Sequence, residues 1–130
     1  MVQLEQIKIY LLDMDGTFYL GNRIFDWSYS FLDKLAEQNK DFYFLTNNSS
    51  NSRERYVEKL ARMGLKVTPD KVITSGEAAT IHLNSRKPGA RVYLAGTPAL
   101  EKEFADAGFV LTDERPDVVV IGFDTTLTYE

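Results

Sequence analysis

The stretch Ile7-Lys8-Ile9-Tyr10-Leu11-Leu12-Asp13-Met14-Asp15-Gly16-Thr17 decides the fold. Ile7, Ile9, Tyr10, Leu11 and Leu12 make a nearly continuous apolar run that stops at Asp13. A run of this kind predicts a strand buried on both faces, as in a parallel sheet. Directly after it stand two carboxylates two residues apart, then Gly16, so the strand opens into a polar turn. In open parallel α/β sheets, ligands gather at the carboxyl ends of strands. Chemistry is therefore expected at this turn first.

Working outward, strand-like and helix-like segments alternate. Phe18-Tyr19-Leu20 and Arg23-Ile24-Phe25 flank Gly21-Asn22, the pattern of a small β-hairpin. Asp26 is expected to cap a helix whose inward face is Phe31, Leu32, Leu35 and Ala36. A strand over Phe42–Leu45 leads into Thr46-Asn47-Asn48-Ser49-Ser50. The next helix opens near Arg53, turns Tyr56, Val57, Leu60 and Ala61 inward, and ends at Gly64. Val72-Ile73-Thr74 reads as a short strand and Gly76–Asn84 as a helix, after which Pro88-Gly89 punctuates the chain. The pattern then restarts with a strand over Arg91–Ala95, a helix over Pro98–Ala107 and a strand over Val118–Phe123. Thr97 and Pro98 supply that helix's cap and first turn, and Gly108 closes it. The alternation predicts an α/β architecture with parallel strands.

Composition limits the function classes. Of 130 residues, 44% are hydrophobic and 26% charged, the balance of a globular chain with a real core. With no cysteine, disulfides and thiolate metal sites are excluded, and a reducing cytoplasm is the expected compartment. A net charge of −4 offers no general field for nucleic acid or anionic lipid. Met1–Tyr10 carries neither a basic leader nor a long apolar run, and no stretch approaches the ~20 apolar residues of a membrane helix. The seven tyrosines, eight phenylalanines and Trp27 read as core packing rather than base-stacking surfaces, since no basic groove accompanies them.

Two polar clusters then carry the chemistry. In the first, Asp13 and Asp15 reach a common point: one carboxylate can attack phosphorus while the other gives and later removes a proton. Their mutual repulsion suits a hard cation such as Mg²⁺. Gly16 permits a tight turn that presents backbone N–H groups to phosphate oxygens. In the second, Thr46 to Ser50 places short hydroxyl and amide side chains before a helix N-terminus, a phosphate cradle. Each has a plainer reading. Asp-x-Asp-Gly is also a common turn, and Ser50 or Ser52 would cap a helix in any protein.

Together, Asp13-Met14-Asp15-Gly16-Thr17 and Thr46-Asn47-Asn48-Ser49 resemble the first two motifs of the haloacid dehalogenase superfamily. The Gly-Leu, Val-Ile-Thr-Ser and Val-Tyr-Leu-Ala-Gly segments, Pro116–Val120 and the Gly122–Tyr129 string are similar to its NagD-like (class IIA) phosphatases. The resemblance implies a HAD-like Rossmannoid parallel sheet, with residues 1–84 the first part of a catalytic core and 85–130 the first part of an inserted α/β cap. It implies a Mg²⁺-dependent phosphatase acting on a small phosphorylated metabolite. Asp13 would be the nucleophile that becomes aspartyl-phosphate, and Asp15 the acid for the leaving alkoxide and then the base for water. Asp13, through a carboxylate oxygen, and Asp15, through its main-chain carbonyl, would hold Mg²⁺. Met14 and Gly16 in the turn, with Thr46 and Asn47, would hold the transferring phosphoryl group. The Phe18–Phe25 hairpin matches the flap that gates such sites.

The same family needs a lysine and a later acidic cluster. Lys87-Pro88 lacks the glycine that leads the family's lysine motif, and Asp113, Glu114 and Asp117 lack the acidic pattern. The strands expected beside the Asp13 strand are absent too, which leaves an open edge prone to aggregation. The expectation is a fragment of a longer chain, or a second copy covering that edge. Competing classes are a non-catalytic phosphate-, Mg²⁺- or protein-binding module and a phospho-acceptor domain similar to response-regulator receivers. His82, the single histidine, receives no role. Arg53 and Arg55 read either as substrate contacts or as a solvated helix face, and Asp124 as a substrate contact or a helix cap.

Overall fold

The computed structural model describes residues 4–128. Met1–Gln3, the beginning of the segment read for a leader, and Tyr129, which ends the Gly122–Tyr129 string, lie outside the described residues. The elements follow in order: β1 (Ile9–Asp13), β2 (Tyr19–Leu20), β3 (Arg23–Ile24), α1 (Asp26–Glu37), β4 (Asp41–Thr46), α2 (Arg53–Arg62), β5 (Val72–Thr74), α3 (Ser75–Arg86), β6 (Arg91–Ala95), α4 (Pro98–Asp106), β7 (Val110–Leu111) and β8 (Val118–Ile121). Short 3₁₀ turns lie at Leu4–Gln6 and Pro69–Lys71. This is the expected strand–helix alternation. No described helix is long and apolar enough to cross a membrane.

Two compact units share the chain: residues up to Thr46 with Tyr56–Ile73, and Asn47–Arg55 with residues from Thr74 onward. In the first, β1 and β4 pair in parallel from Ile9↔Asp41 to Asp13↔Leu45, and the sheet order is β1-β4-β5. Period-2 alternation sends Leu12, Met14, Phe42 and Phe44 to one face, where they pack with Phe18, Tyr19, Ile24, Tyr56, Leu60 and Val72. The α1 helix covers the same face, with Phe31 edge-on to Tyr10.

One expectation fails here. β1 is buried on one face only: Ile9 and Leu11 are 56% and 62% exposed. It is the end strand of its sheet, and among the described residues nothing seals its second face. The open edge expected from the missing strands is therefore present.

The hairpin forms as the sequence indicates, with Tyr19↔Ile24 and Leu20↔Arg23 antiparallel around Gly21 at φ +59°. Its base is tied to α1, because the buried Ser28 hydroxyl donates to the Phe18 carbonyl at 2.8 Å. The α1 cap departs from expectation. Phe25 is the cap residue, with extended backbone and no side-chain cap bond, while Asp26 is the first helical residue. Asp26 instead meets Arg23 at 3.5 Å, and its charge still suits the helix N-terminus. Ala36 and Ala61, one step off the buried stripes, are exposed.

The second unit holds a parallel sheet in the order β7-β6-β8, with Arg91↔Val110 and Val92↔Val118 among its pairs. Val92, Leu100, Phe104 and Phe109 form its core, and Ala79 and Leu83 of α3 pack against it. The Thr74 hydroxyl caps α3 by accepting from the Glu77 N–H at 3.1 Å, so β5 runs straight into the helix. Thr97 caps α4 as expected. β7 was not legible beforehand, and β8 ends at Ile121 rather than Phe123.

Candidate active site

Asp13 ends β1 and is exposed, as its position past the apolar run demands. Its Oδ2 accepts a hydrogen bond from the Thr17 hydroxyl at 2.7 Å, which fixes the carboxylate rotamer from within the same turn. Met14 lies between the acids with its side chain fully buried in the core. That anchor makes the two flanking carboxylates project together, since neighbours of an inward residue in extended chain point outward. The Met14 carbonyl accepts from the Thr17, Phe18 and Tyr19 amides at 3.3, 2.9 and 3.2 Å, closing a tight turn. Gly16 takes φ +80°, which glycine adopts without a Cβ penalty. Its N–H donates to the Tyr19 carbonyl at 2.8 Å.

Asp15 has partners that sequence reasoning missed. The Tyr19 hydroxyl donates to its Oδ2 at 3.1 Å, and Lys59 Nζ lies 3.5 Å from its Oδ1. Lys59 also sits 4.2 Å from the centre of the Tyr19 ring, a cation–π contact. Burial, followed by the nearby Asp15 charge, pushes the Tyr19 phenol well above the ordinary tyrosine range, so it stays a hydrogen-bond donor at physiological pH. Tyr19 stands four residues from Asp15, a spacing visible in the chain. Lys59 stands 44 positions away on α2, and only the fold brings it near.

Thr46 closes β4 and is buried, with Asp13↔Leu45 the last register pair before it. The strand ends of β1 and β4 are thus level, and Thr46 belongs to the same unit as Asp13, Met14, Asp15 and Gly16. Asn47 opens the second unit and is exposed; its carbonyl accepts from the Ser75 hydroxyl at 3.0 Å. Asn48 Oδ1 accepts from the Ser50 amide at 2.9 Å, and Ser49 Oγ accepts from the Phe123 amide at 2.8 Å. Asn48 thus stabilises the loop itself, and Ser49 ties it to the segment that follows β8. Ser52 Oγ, 3.5 Å from the Arg55 amide, takes the helix-cap position.

Among the described residues, no group of three or more His, Cys, Asp and Glu side chains could hold a metal ion. Mg²⁺ needs only one or two carboxylates and keeps several waters. The Asp13/Asp15 pair therefore fits its oxygen chemistry while supplying only part of a shell.

The remaining candidates are accounted for within their own units. Arg53 is ion-paired with Glu77, and His82 is exposed on α3. Asp124 accepts from the Thr126 amide at 2.8 Å and hydroxyl at 2.6 Å, with no described helix after it to cap. Asp117 Oδ2 accepts from the Arg91 amide at 3.0 Å, and the Arg91 guanidinium donates to the Glu114 and Arg115 carbonyls, so this acidic loop is a structural clasp.

Comparison with known proteins bears on the fold and family. Residues 10–110 match the model of the haloacid dehalogenase-like hydrolases. An acid sugar phosphatase of Staphylococcus aureus is 38% identical over 128 residues, which are 98% of this chain and 49% of that protein. The crystal structure of a 4-nitrophenylphosphatase from Thermotoga maritima superposes with TM-score 0.92 at 49% identity, covering 97% of this chain and 48% of that one. NagD of E. coli K-12 gives TM-score 0.84 at 28% identity over 95% of this chain and 49% of its own. A glycerol phosphate phosphatase from Mycobacterium tuberculosis, solved with magnesium, gives 0.82 at 31%, covering 96% and 39%. The chain thus spans about half the length of the curated relatives it matches. With its Asp-x-Asp turn at the end of a parallel strand and this span of similarity, the chain belongs to the haloacid dehalogenase-like hydrolase family.

Proposed function

We propose that this chain carries the nucleophile and the acid/base of a phosphatase acting on a small phosphate monoester. The observation that carries the reading is the arrangement at the end of β1: Asp13 and Asp15 both exposed, flanking the buried Met14, with Thr17 fixing one Asp13 oxygen. A carboxylate oxygen of Asp13 attacks phosphorus in line with the ester oxygen. The P–O ester bond breaks, and Asp15 delivers a proton to the departing alkoxide. Asp15, now ionised, takes a proton from water as that water attacks the aspartyl-phosphate. Inorganic phosphate leaves and Asp13 is restored.

Thr46 and the Met14 backbone are the proposed phosphoryl contacts, with Asn47 next to Thr46 in the chain; the Gly16 N–H, taken by the Tyr19 carbonyl, serves the turn itself rather than a phosphate oxygen. Mg²⁺ held by Asp13 and Asp15 would offset the charge on the phosphoryl oxygens. A magnesium-bound relative supports that choice. The lysine and further acidic ligands of the family are supplied, in this reading, by sequence outside these 130 residues, and such sequence or a second copy covers the bare edge of β1. Relatives named for sugar, aryl and glycerol phosphates support a small organic phosphate as substrate, and the cysteine-free sequence suits a cytoplasmic enzyme.

The test is Mg²⁺-dependent hydrolysis of 4-nitrophenyl phosphate by the product of the full reading frame, with Asp13→Asn as comparison. We expect the variant to lose at least ~10³-fold in kcat, the scale of removing a nucleophile that acts with its partners as a unit. Full activity in Asp13→Asn would remove Asp13 from the mechanism.

A further inference from the structure

We infer that Tyr19, braced by Lys59, is a positioning residue that presents one particular oxygen of Asp15, Oδ1, to the leaving group and to water. The inference rests on the phosphatase reading above. The two oxygens of Asp15 are held unequally. Oδ2 takes the Tyr19 hydroxyl at 3.1 Å, whereas Oδ1 meets the Lys59 ammonium at the longer distance of 3.5 Å. Tyr19 is fully buried and its ring edge is fixed by the core, so the hydroxyl is a stationary donor. Asp15 is 52% exposed, and without that donor its carboxylate would rotate between staggered and near-planar settings. Oδ1, held more loosely and on a half-exposed side chain, is the oxygen left to exchange a proton.

The backbone makes the same coupling. Gly16 N–H donates to the Tyr19 carbonyl at 2.8 Å, and an isolated bridge joins Asp15 to Tyr19. Tyr19 is also the first residue of the β2–β3 hairpin. The acid and the hairpin are therefore held as one piece, and a hairpin displacement carries Asp15 with it. Lys59 enters from α2, with its side chain only 25% exposed, stacks on the tyrosine ring and ends 3.5 Å from Asp15 Oδ1, bracing the ring and the carboxylate together. Its contact is with Asp15; the bond to Asp13 comes from Thr17. It is therefore not the lysine that the family places against the nucleophile.

Leaving-group dependence separates positioning from plain support. A 4-nitrophenolate departs with little need of a proton, whereas an alkoxide needs the acid. Tyr19→Phe keeps the ring, its packing and the Lys59 contact, and deletes only the hydroxyl. In the product of the full reading frame, kcat/KM for an alkyl phosphate should fall ~10–100-fold, part of the ~10²–10⁴ that general acid catalysis supplies. The loss on 4-nitrophenyl phosphate should be at least ~10-fold smaller. Lys59→Met, which leaves the Tyr19 hydroxyl in place, should change the ratio less than Tyr19→Phe does. Equal losses on both esters, or none, in a variant that melts like the parent would overturn the inference while Asp13→Asn still tests the nucleophile. Absence of turnover in the parent protein would bring down the phosphatase reading and this inference together.

Discussion

Phe44 offers a test of how the β2–β3 hairpin is supported. It lies two residues before Thr46 on β4 and is fully buried. Its ring meets Phe18 edge-on at 4.8 Å and 72°, and Phe42 at 5.4 Å and 71°. Phe18 immediately precedes Tyr19, the first residue of the β2–β3 hairpin, so the β4 ring is the floor under the start of that hairpin. A buried phenylalanine removes roughly 150–250 Å² from water, which at about 25 cal/mol/Å² is roughly 4–6 kcal/mol. Alanine keeps part of that area but leaves a cavity, and truncations of this kind cost about 3–5 kcal/mol. Phe44→Leu keeps most of the volume and loses two edge-to-face contacts worth about 0.5–1.5 kcal/mol each, so it should cost roughly 1–3 kcal/mol.

Urea unfolding followed by Trp27 fluorescence reads the right region, because Trp27 is the single tryptophan and stacks on Phe25 at the hairpin base. With a slope of about 1–3 kcal/mol/M, Phe44→Ala should move the midpoint down by roughly 2 M or leave the unit unfolded without denaturant. Phe44→Leu should remain folded with a smaller shift. An alanine variant within about 1 kcal/mol of the parent would refute the role of this ring. So would a leucine variant that costs as much as the alanine one.

Three further outcomes are expected. Burial raises the Glu103 carboxyl above its ordinary value, opposed by its bond from the Thr74 hydroxyl. The folded state therefore binds more proton than the unfolded chain between the ordinary and the raised pKa, and stability falls as pH rises through that window. Glu103→Gln should flatten the fall and stabilise at neutral pH, read as urea midpoints at pH 4 and 7; a larger pH dependence in the variant would contradict it. Half-exposure of this carboxyl keeps the effect modest. Thr97→Ala should cost roughly 2–3 kcal/mol, because it removes a cap on the Leu100 amide and a buried donor to the Ser50 carbonyl. Thr97→Ser should recover most of that in a thermal melt, and failure to recover it would assign the loss to the methyl group. Omitting Mg²⁺ should depress turnover while leaving the melting curve of the metal-free chain cooperative; unchanged turnover would remove the metal from the mechanism.

What could be read in advance follows from how local each signal is. The β1 strand, the hairpin at Gly21-Asn22 and the α4 cap at Thr97 are written in adjacent residues, and each lies where its pattern puts it. β7 was invisible because two residues, Val110 and Leu111, cannot show an alternation; its existence depends on pairing with Arg91 and Val92. Asp26 misled because an acid at a helix start serves as cap or as first residue, and the choice depends on the hairpin's exit and the Arg23 pair. Apolarity on both sides of β1 states what the strand is suited to, whereas burial requires a second layer to be present. At the site, the acids were plain in the chain, but Lys59 was not, since a helix lysine has no local mark that distinguishes it from a solvated one.

The register of β1 against β4 has a consequence for how this chain can vary in length. Ile9, Leu11 and Asp13 share one side of the strand, and Tyr10, Leu12 and Met14 the other. Inserting or deleting a single residue between Ile9 and Leu12 exchanges the two sets. Asp13, the proposed nucleophile, would then be aimed into the core and Met14 turned outward in its place. A two-residue change restores the facing but shifts the strand end by roughly 6–7 Å, carrying Asp13 away from the level of Leu45 and Thr46. Length changes are therefore tolerable at the Gly21-Asn22 tip and forbidden in a strand of five residues. Relatives of this site can be expected to differ freely in what the strand is made of, and hardly at all in how many residues separate its first apolar position from its first acid.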